Sequence, residues 1–193
     1  MRKNISTPLL CLGLLLVLPG LASAHILQGT PHGIQDGFFH PFTGLDHLLA
    51  MFAVGFWAVQ HRGRAVWMIP LTFVSVMVLG GIAGVCGAFV PGAELAIAAS
   101  LLALGALVAT ATRFRPSLSM SIVGFFAFFH GYAHGHEMPA AVSAISFSIG
   151  FVVATLLLHG LGMAVGIGLE KQKRILAFTG SAIALCSIFF FLN

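Results

Sequence analysis

Six apolar segments joined by connections of a few residues leave this chain little choice of fold. They run over residues 45–59, 66–90, 93–111, 118–134, 140–168 and 175–192. Each approaches the ~20 residues that cross a bilayer as a helix; the first is short and is extended by residues 38–44. Lipid cannot satisfy an open strand edge, so helix is the only state available to them. The connections HRGR, VPGAE, RFRPS, GHEMPA and EKQKR leave no room for a soluble domain. Only 7% of the 193 residues are charged and the mean hydropathy is +1.03, whereas a soluble domain carries about a quarter of its residues charged. The expected fold is all-α, a polytopic integral membrane protein with a six-helix transmembrane domain over residues 45–193.

Residues 1–24 read as a signal peptide. Arg2 and Lys3 precede a short apolar run over residues 9–18, Pro19 and Gly20 break it, and Ala22-Ser23-Ala24 fits a cleavage site. The competing reading is an uncleaved first helix. Cleavage makes His25 the new N-terminus, with an amine and an imidazole that could chelate one metal. Residues 25–44 then form a periplasmic arm carrying His25, His32, Asp36 and His40, with turn-forming Gly and Pro. The Lys and Arg residues beyond the signal are Arg62, Arg64, Arg113, Arg115, Lys171, Lys173 and Arg174. All follow the first, third or fifth segment, which satisfies the positive-inside rule for a multi-pass membrane protein whose N-terminus lies outside the cytoplasm.

The net charge of +4 and pI near 9.4 therefore report topology. Nucleic-acid binding would need a basic face with aromatic platforms, which is lacking. No GxxxxGK[ST] loop is present, so an ATP site is not expected. Cys86 and Cys186 are lone thiols in apolar runs and make neither a disulfide framework nor a CxxC site. A homo-oligomer is compatible with the chain. Gly80, Gly81, Gly84, Gly87, Gly162 and Gly166 have the small-xxx-small character that lets helices approach closely in lipid. A Gly-lined path for a small solute is the sharper alternative.

Two polar clusters land at the same depth. HPFTGLDH supplies His40, Asp46 and His47 at the outer end of the first segment; FHGYAHGHE supplies His130, His134, His136 and Glu137 at the outer end of the fourth. His130, His134 and Glu137 stand at i, i+4 and i+7 and share a helix face. His136 is displaced by about 120°, or the helix ends at Gly135. Asp46 and His47 are adjacent and splay, so both face one site only between two helices or where Pro41 and Gly44 loosen the turn. Ionisable groups at membrane depth are costly and need partners. Imidazole and carboxylate without thiolate suit Ni²⁺, Co²⁺, Zn²⁺ or Cu²⁺. The plain alternative is a set of hydrogen-bonded histidines stapling two helices together. His32 and Asp36 would pass ions toward the site or simply be solvated. His159 marks an inward step or bonds a backbone carbonyl. His61, among arginines, reads as surface, Glu94 as a helix-dipole partner and Met51 as packing or a soft ligand.

Those two motifs resemble the HPxxGxDH and FHGxAHGxE signatures of the HupE/UreJ family of nickel and cobalt permeases, and the resemblance covers essentially the whole chain. It implies uptake of Ni²⁺ or Co²⁺ as transported ion, for hydrogenase, urease or cobalamin assembly. By position, His40, Asp46, His47, His130, His134 and Glu137 match the residues implicated in transport, while His136 occupies a variable position. The strongest rival is an intramembrane zinc-dependent hydrolase of a lipid-like substrate, with Glu137 as general base. A b-type haem held by His47 and His130 is a second rival.

Overall fold

The computed structural model describes residues 33–138 and 142–192. The proposed signal peptide, His25 and His32 lie outside them. The described residues form seven helices and no strand: α1 (Gly33–Thr43), α2 (Leu45–Ala58), α3 (Ala65–Val85), α4 (Ala93–Thr110), α5 (Pro116–Glu137), α6 (Ala144–Leu169) and α7 (Lys173–Leu192). Four of these, α3, α4, α6 and α7, are long and apolar enough to cross a membrane. Helix α5 has 22 residues, but its histidines dilute its apolar character.

The expected count of six becomes seven because the first segment is split. Residues 33–43, read from sequence as part of an arm whose residues 38–44 extend the first helix, form a helix of their own. Pro41 lies in the last turn of α1, where it lacks the N–H to continue the ladder. Gly44 then takes an extended conformation and α2 begins. Helix α2 is about 21 Å long at 1.5 Å per residue, too short for a hydrocarbon core of about 30 Å. Every residue from Leu48 to Ala58 is buried, so α2 forms the axis of the molecule, surrounded by α3, α4, α6 and α7. A helix apolar all round belongs in such a place. The outer helices turn Trp67, Leu79, Ile145, Phe178 and Phe189 outward, as a lipid-facing surface requires.

Helix α3 packs along α5, α4 along α7, and α6 along α1 and α2. Glycines set these distances. A Cβ on Gly131 of α5 would collide with the Met77 carbonyl of α3, and one on Gly80 with the Phe128 carbonyl. Gly55 of α2 lies likewise against the His159 carbonyl of α6. The basic linkers share one end of the molecule. There Trp57 Nε1 donates to the Thr112 carbonyl (2.8 Å), and Gln60 Nε2 donates to the Val108 carbonyl (3.2 Å).

His61 at this end corrects the surface reading. It is 7% exposed, with Nε2 2.9 Å from Ser119 Oγ and Nδ1 3.2 Å from the Trp57 carbonyl. Burial, with the Arg113 charge adding to it, holds its pKa below the ordinary imidazole value.

Candidate metal site

The break at Gly44 folds HPFTGLDH so that its two histidines, on different helices, reach one place. A Cβ on Gly44 would stand 2.7 Å from Asp46 Oδ1 and 2.9 Å from His47 Nδ1, so any larger residue there forces that pair to shift. His47 Nδ1 donates to Asp46 Oδ1 (2.8 Å), which also accepts the His47 backbone N–H (2.8 Å). The carboxylate thereby fixes the tautomer that carries its lone pair on Nε2, the usual arrangement behind a metal-binding histidine.

Helix α5 continues through Gly135 to Glu137, one turn beyond the end expected from sequence, and brings up the other motif. His130 Nδ1 donates to the Phe126 carbonyl (3.0 Å), the i−4 position of its own helix. Its Nε2 is again the lone-pair nitrogen. His134 is 5% exposed and neither of its ring nitrogens has a partner.

The rings form a continuous cluster. His134 lies 4.7 Å from His40 and 4.3 Å from His47 between ring centroids, and His47 lies 5.2 Å from His130. One ligand atom each of His40, His134 and Glu137 lie within 4.8 Å of one another, the single such group of three among the described residues. The cluster is graded in burial. Glu137 is exposed, His40 half-buried, His134 and His130 buried. Phe147 and Phe151 of α6 wall it, at 5.4 Å from His40 and 4.3 Å from His134.

The Nε2 atoms of His47 and His130 and both nitrogens of His134 are buried without a hydrogen-bond partner. A buried polar group left in that state costs about 1–3 kcal/mol. Several such atoms converging in one pocket are poor stapling and good ligation: the pattern offers lone pairs to an electron-pair acceptor, with two carboxylates nearby to offset a dication's charge.

Of the remaining residues, Glu94 lies within electrostatic reach of Glu137, and the others separate from this group. Asp36 is exposed in the first turn of α1. His136 is exposed and stacks on Tyr132, with centroids 5.6 Å apart and planes 11° from parallel. Glu94 is exposed in the first turn of α4. His159 is buried deeper, beyond Phe73, and its Nδ1 donates to the Met51 carbonyl (2.7 Å). Sequence reasoning missed Phe73, whose ring touches both His130 and His159. A phenylalanine in an apolar helix gives no signal of its own.

The comparisons with known proteins agree with the motifs. The profile of the HupE / UreJ protein family matches residues 12–190. Protein HupE of Rhizobium leguminosarum bv. viciae is 42% identical over 175 residues, covering 88% of this chain and 90% of its own length. No solved structure matches the chain. The family comprises nickel/cobalt transport-associated membrane proteins rather than enzymes, and neither comparison supports the hydrolase alternative. A match over nearly the full length, with both histidine motifs inside it, makes this chain a member of the HupE/UreJ family.

Proposed function

We propose that the protein is a permease that carries a divalent transition metal, Ni²⁺ or Co²⁺, from periplasm to cytoplasm through the histidine cluster between α1/α2 and α5. The observation that carries this reading is the convergence of His40, His47, His130 and His134 with unpartnered nitrogens on the buried members. Glu137 and His40, the more exposed members, would capture the ion at the mouth. His134, His47 and His130 would take it over inward, with Asp46 holding His47 in its ligating tautomer.

The orientation proposed is that of the positive-inside rule. The chain would sit in the inner membrane of a bacterium, entering after a cleaved signal peptide. Helices α1 and α2 together would make the first of six crossings, and the basic linkers would face the cytoplasm. The membrane potential would then favour entry of a dication by about 4.6 kcal/mol at 100 mV.

Uptake of radioactive nickel into proteoliposomes tests the proposal, with Co²⁺, Zn²⁺ and Cu²⁺ as competitors. Co²⁺ should compete best, and His130→Ala should reduce uptake at least tenfold while the protein stays folded. Parental uptake by folded His130→Ala protein would sink the assignment.

A further inference from the structure

The chain of ring contacts continues past His130. Phe73 of α3 sets its ring 5.6 Å from His130 and 5.1 Å from His159 of α6, the latter edge-on at 90°. His159 is 1% exposed; with Nδ1 committed to the Met51 carbonyl, its Nε2 is left open and without a partner. One turn earlier on α6 lies Thr155, fully buried. Its hydroxyl donates to the Phe151 carbonyl (2.9 Å) and has two sulfurs beside it, Met51 Sδ of α2 at 3.4 Å and Met77 Sδ of α3 at 3.8 Å. Both methionines are buried, at 0% and 2% exposure. Phe73 and Met77 stand at i and i+4 on α3, as Thr155 and His159 do on α6, so each pair shares a helix face.

Three helices thus bring two thioethers onto Thr155, one turn along the same face of α6 from the open imidazole nitrogen of His159, with the Phe73 ring between His159 and His130. Methionine in a membrane core is ordinarily packing. Packing alone does not account for two sulfurs on one hydroxyl a single helical turn from a buried imidazole with a free lone pair. We infer that His159 Nε2 and the Met51 and Met77 sulfurs form a second, softer metal station, one step inward of the outer cluster, with Phe73 as the partition between them. The inference rests on the permease reading.

The chemistry of the donors says what such a station admits. Imidazole and thioether accept borderline and soft ions, Ni²⁺, Co²⁺ and copper among them. Mg²⁺ and Ca²⁺ are hard and require oxygen ligands that this set lacks. The donors are all neutral, so they hold a dication weakly. Conduction needs that property, because an ion must be able to leave each site that it enters. The outer cluster with its carboxylates would capture; the inner one would filter and release.

The test removes the sulfurs and little else. Met51→Leu/Met77→Leu keeps the side-chain volumes nearly constant, and His159→Gln keeps a donor for the Met51 carbonyl. Two quantities are read on each purified, monodisperse protein: nickel binding in detergent and nickel uptake in proteoliposomes. The double variant and His159→Gln should leave the nickel affinity of the outer cluster within twofold of the parent, lose the weaker inner site, and lose uptake at least tenfold. Each single Met→Leu change should lose about threefold and is decisive if the double variant does not fold. Uptake within twofold of the parent overturns the inner station. So does a parallel loss of outer-cluster affinity and uptake, which would mean that the sulfurs only support the outer cluster. His130→Ala in the same series reads the outer cluster separately: unchanged binding and uptake there overturns the permease reading and the inner station with it.

Discussion

In the proposed site Asp46 would act on metal binding through His47 rather than as the principal ligand. Its Oδ1 accepts both the backbone and the ring N–H of His47, which leaves Nε2 of His47 as the lone-pair nitrogen facing His130 and His134. Asp46→Asn keeps the shape and removes the charge that strengthens this bond. Loss of such an outer partner typically weakens metal binding by about 10–100-fold, and calorimetric titration of nickel into the purified variant should show a loss in that range. Gly44→Ala reaches the same pair from the backbone side, since its Cβ would press on Asp46 Oδ1 and His47 Nδ1. Nickel affinity should fall by on the order of tenfold although no donor atom has been removed. His136→Ala is the contrasting case. Its ring is exposed and stacked on Tyr132, so uptake in the variant should match the parent, and a large loss would bring His136 back among the ligands.

At the scale of helices, glycine placement does for packing what the histidines do for chemistry. Gly131 of α5 meets the Met77 carbonyl of α3, beside His130 on one helix and Met77 on the other. Gly131→Ala must push α3 and α5 apart, and overpacking of this kind costs about 1–3 kcal/mol. Gly160 of α6 has open space where a Cβ would go; there alanine should be neutral or stabilising by up to about 1 kcal/mol through helix propensity. Unfolding in mixed micelles should therefore move in opposite directions, or at least by clearly different amounts, for the two substitutions. Equal effects would mean that the close α3–α5 approach is not what Gly131 serves. The length and apolarity of the segments made the helices themselves legible in the sequence. The boundary at Gly44 was less so, because HPFTGLDH reads equally as the frayed start of one helix or the joint of two. The burial of His61 was hidden for a related reason: neighbouring arginines mark an exposed linker, and only the fold shows Ser119 reaching it.

Among the described residues the molecule is polarised, with both histidine motifs toward one end and Lys and Arg in the linkers at the other, where His61 and Glu170 also lie. That division was readable from sequence, because charge is so scarce in an apolar chain that each charged residue reports position. The convergence of the two motifs was also readable, from the topology that puts the outer ends of the first and fourth segments at the same depth, and the i, i+4 and i+7 spacing gave the shared face of His130, His134 and Glu137. The Met51, Met77 and Thr155 grouping was not. Its members come from three helices and look like any apolar filling until packing places them together. The polarity makes the proposed orientation testable with a native residue. Cys86 is an exposed free thiol just after α3, at the end that carries the histidine motifs, while Arg113 is exposed in a basic linker after α4. In a Cys86→Ser/Arg113→Cys pair of experiments, a membrane-impermeant maleimide is added to cells whose outer membrane has been permeabilised. With the positive end inside, Cys86 of the parent is labelled from the periplasm and labelling disappears in Cys86→Ser. Arg113→Cys, placed in the Cys86→Ser background, reacts only once the inner membrane is also opened. The inverse pattern would place the histidine mouth in the cytoplasm and turn the proposed direction from uptake to export.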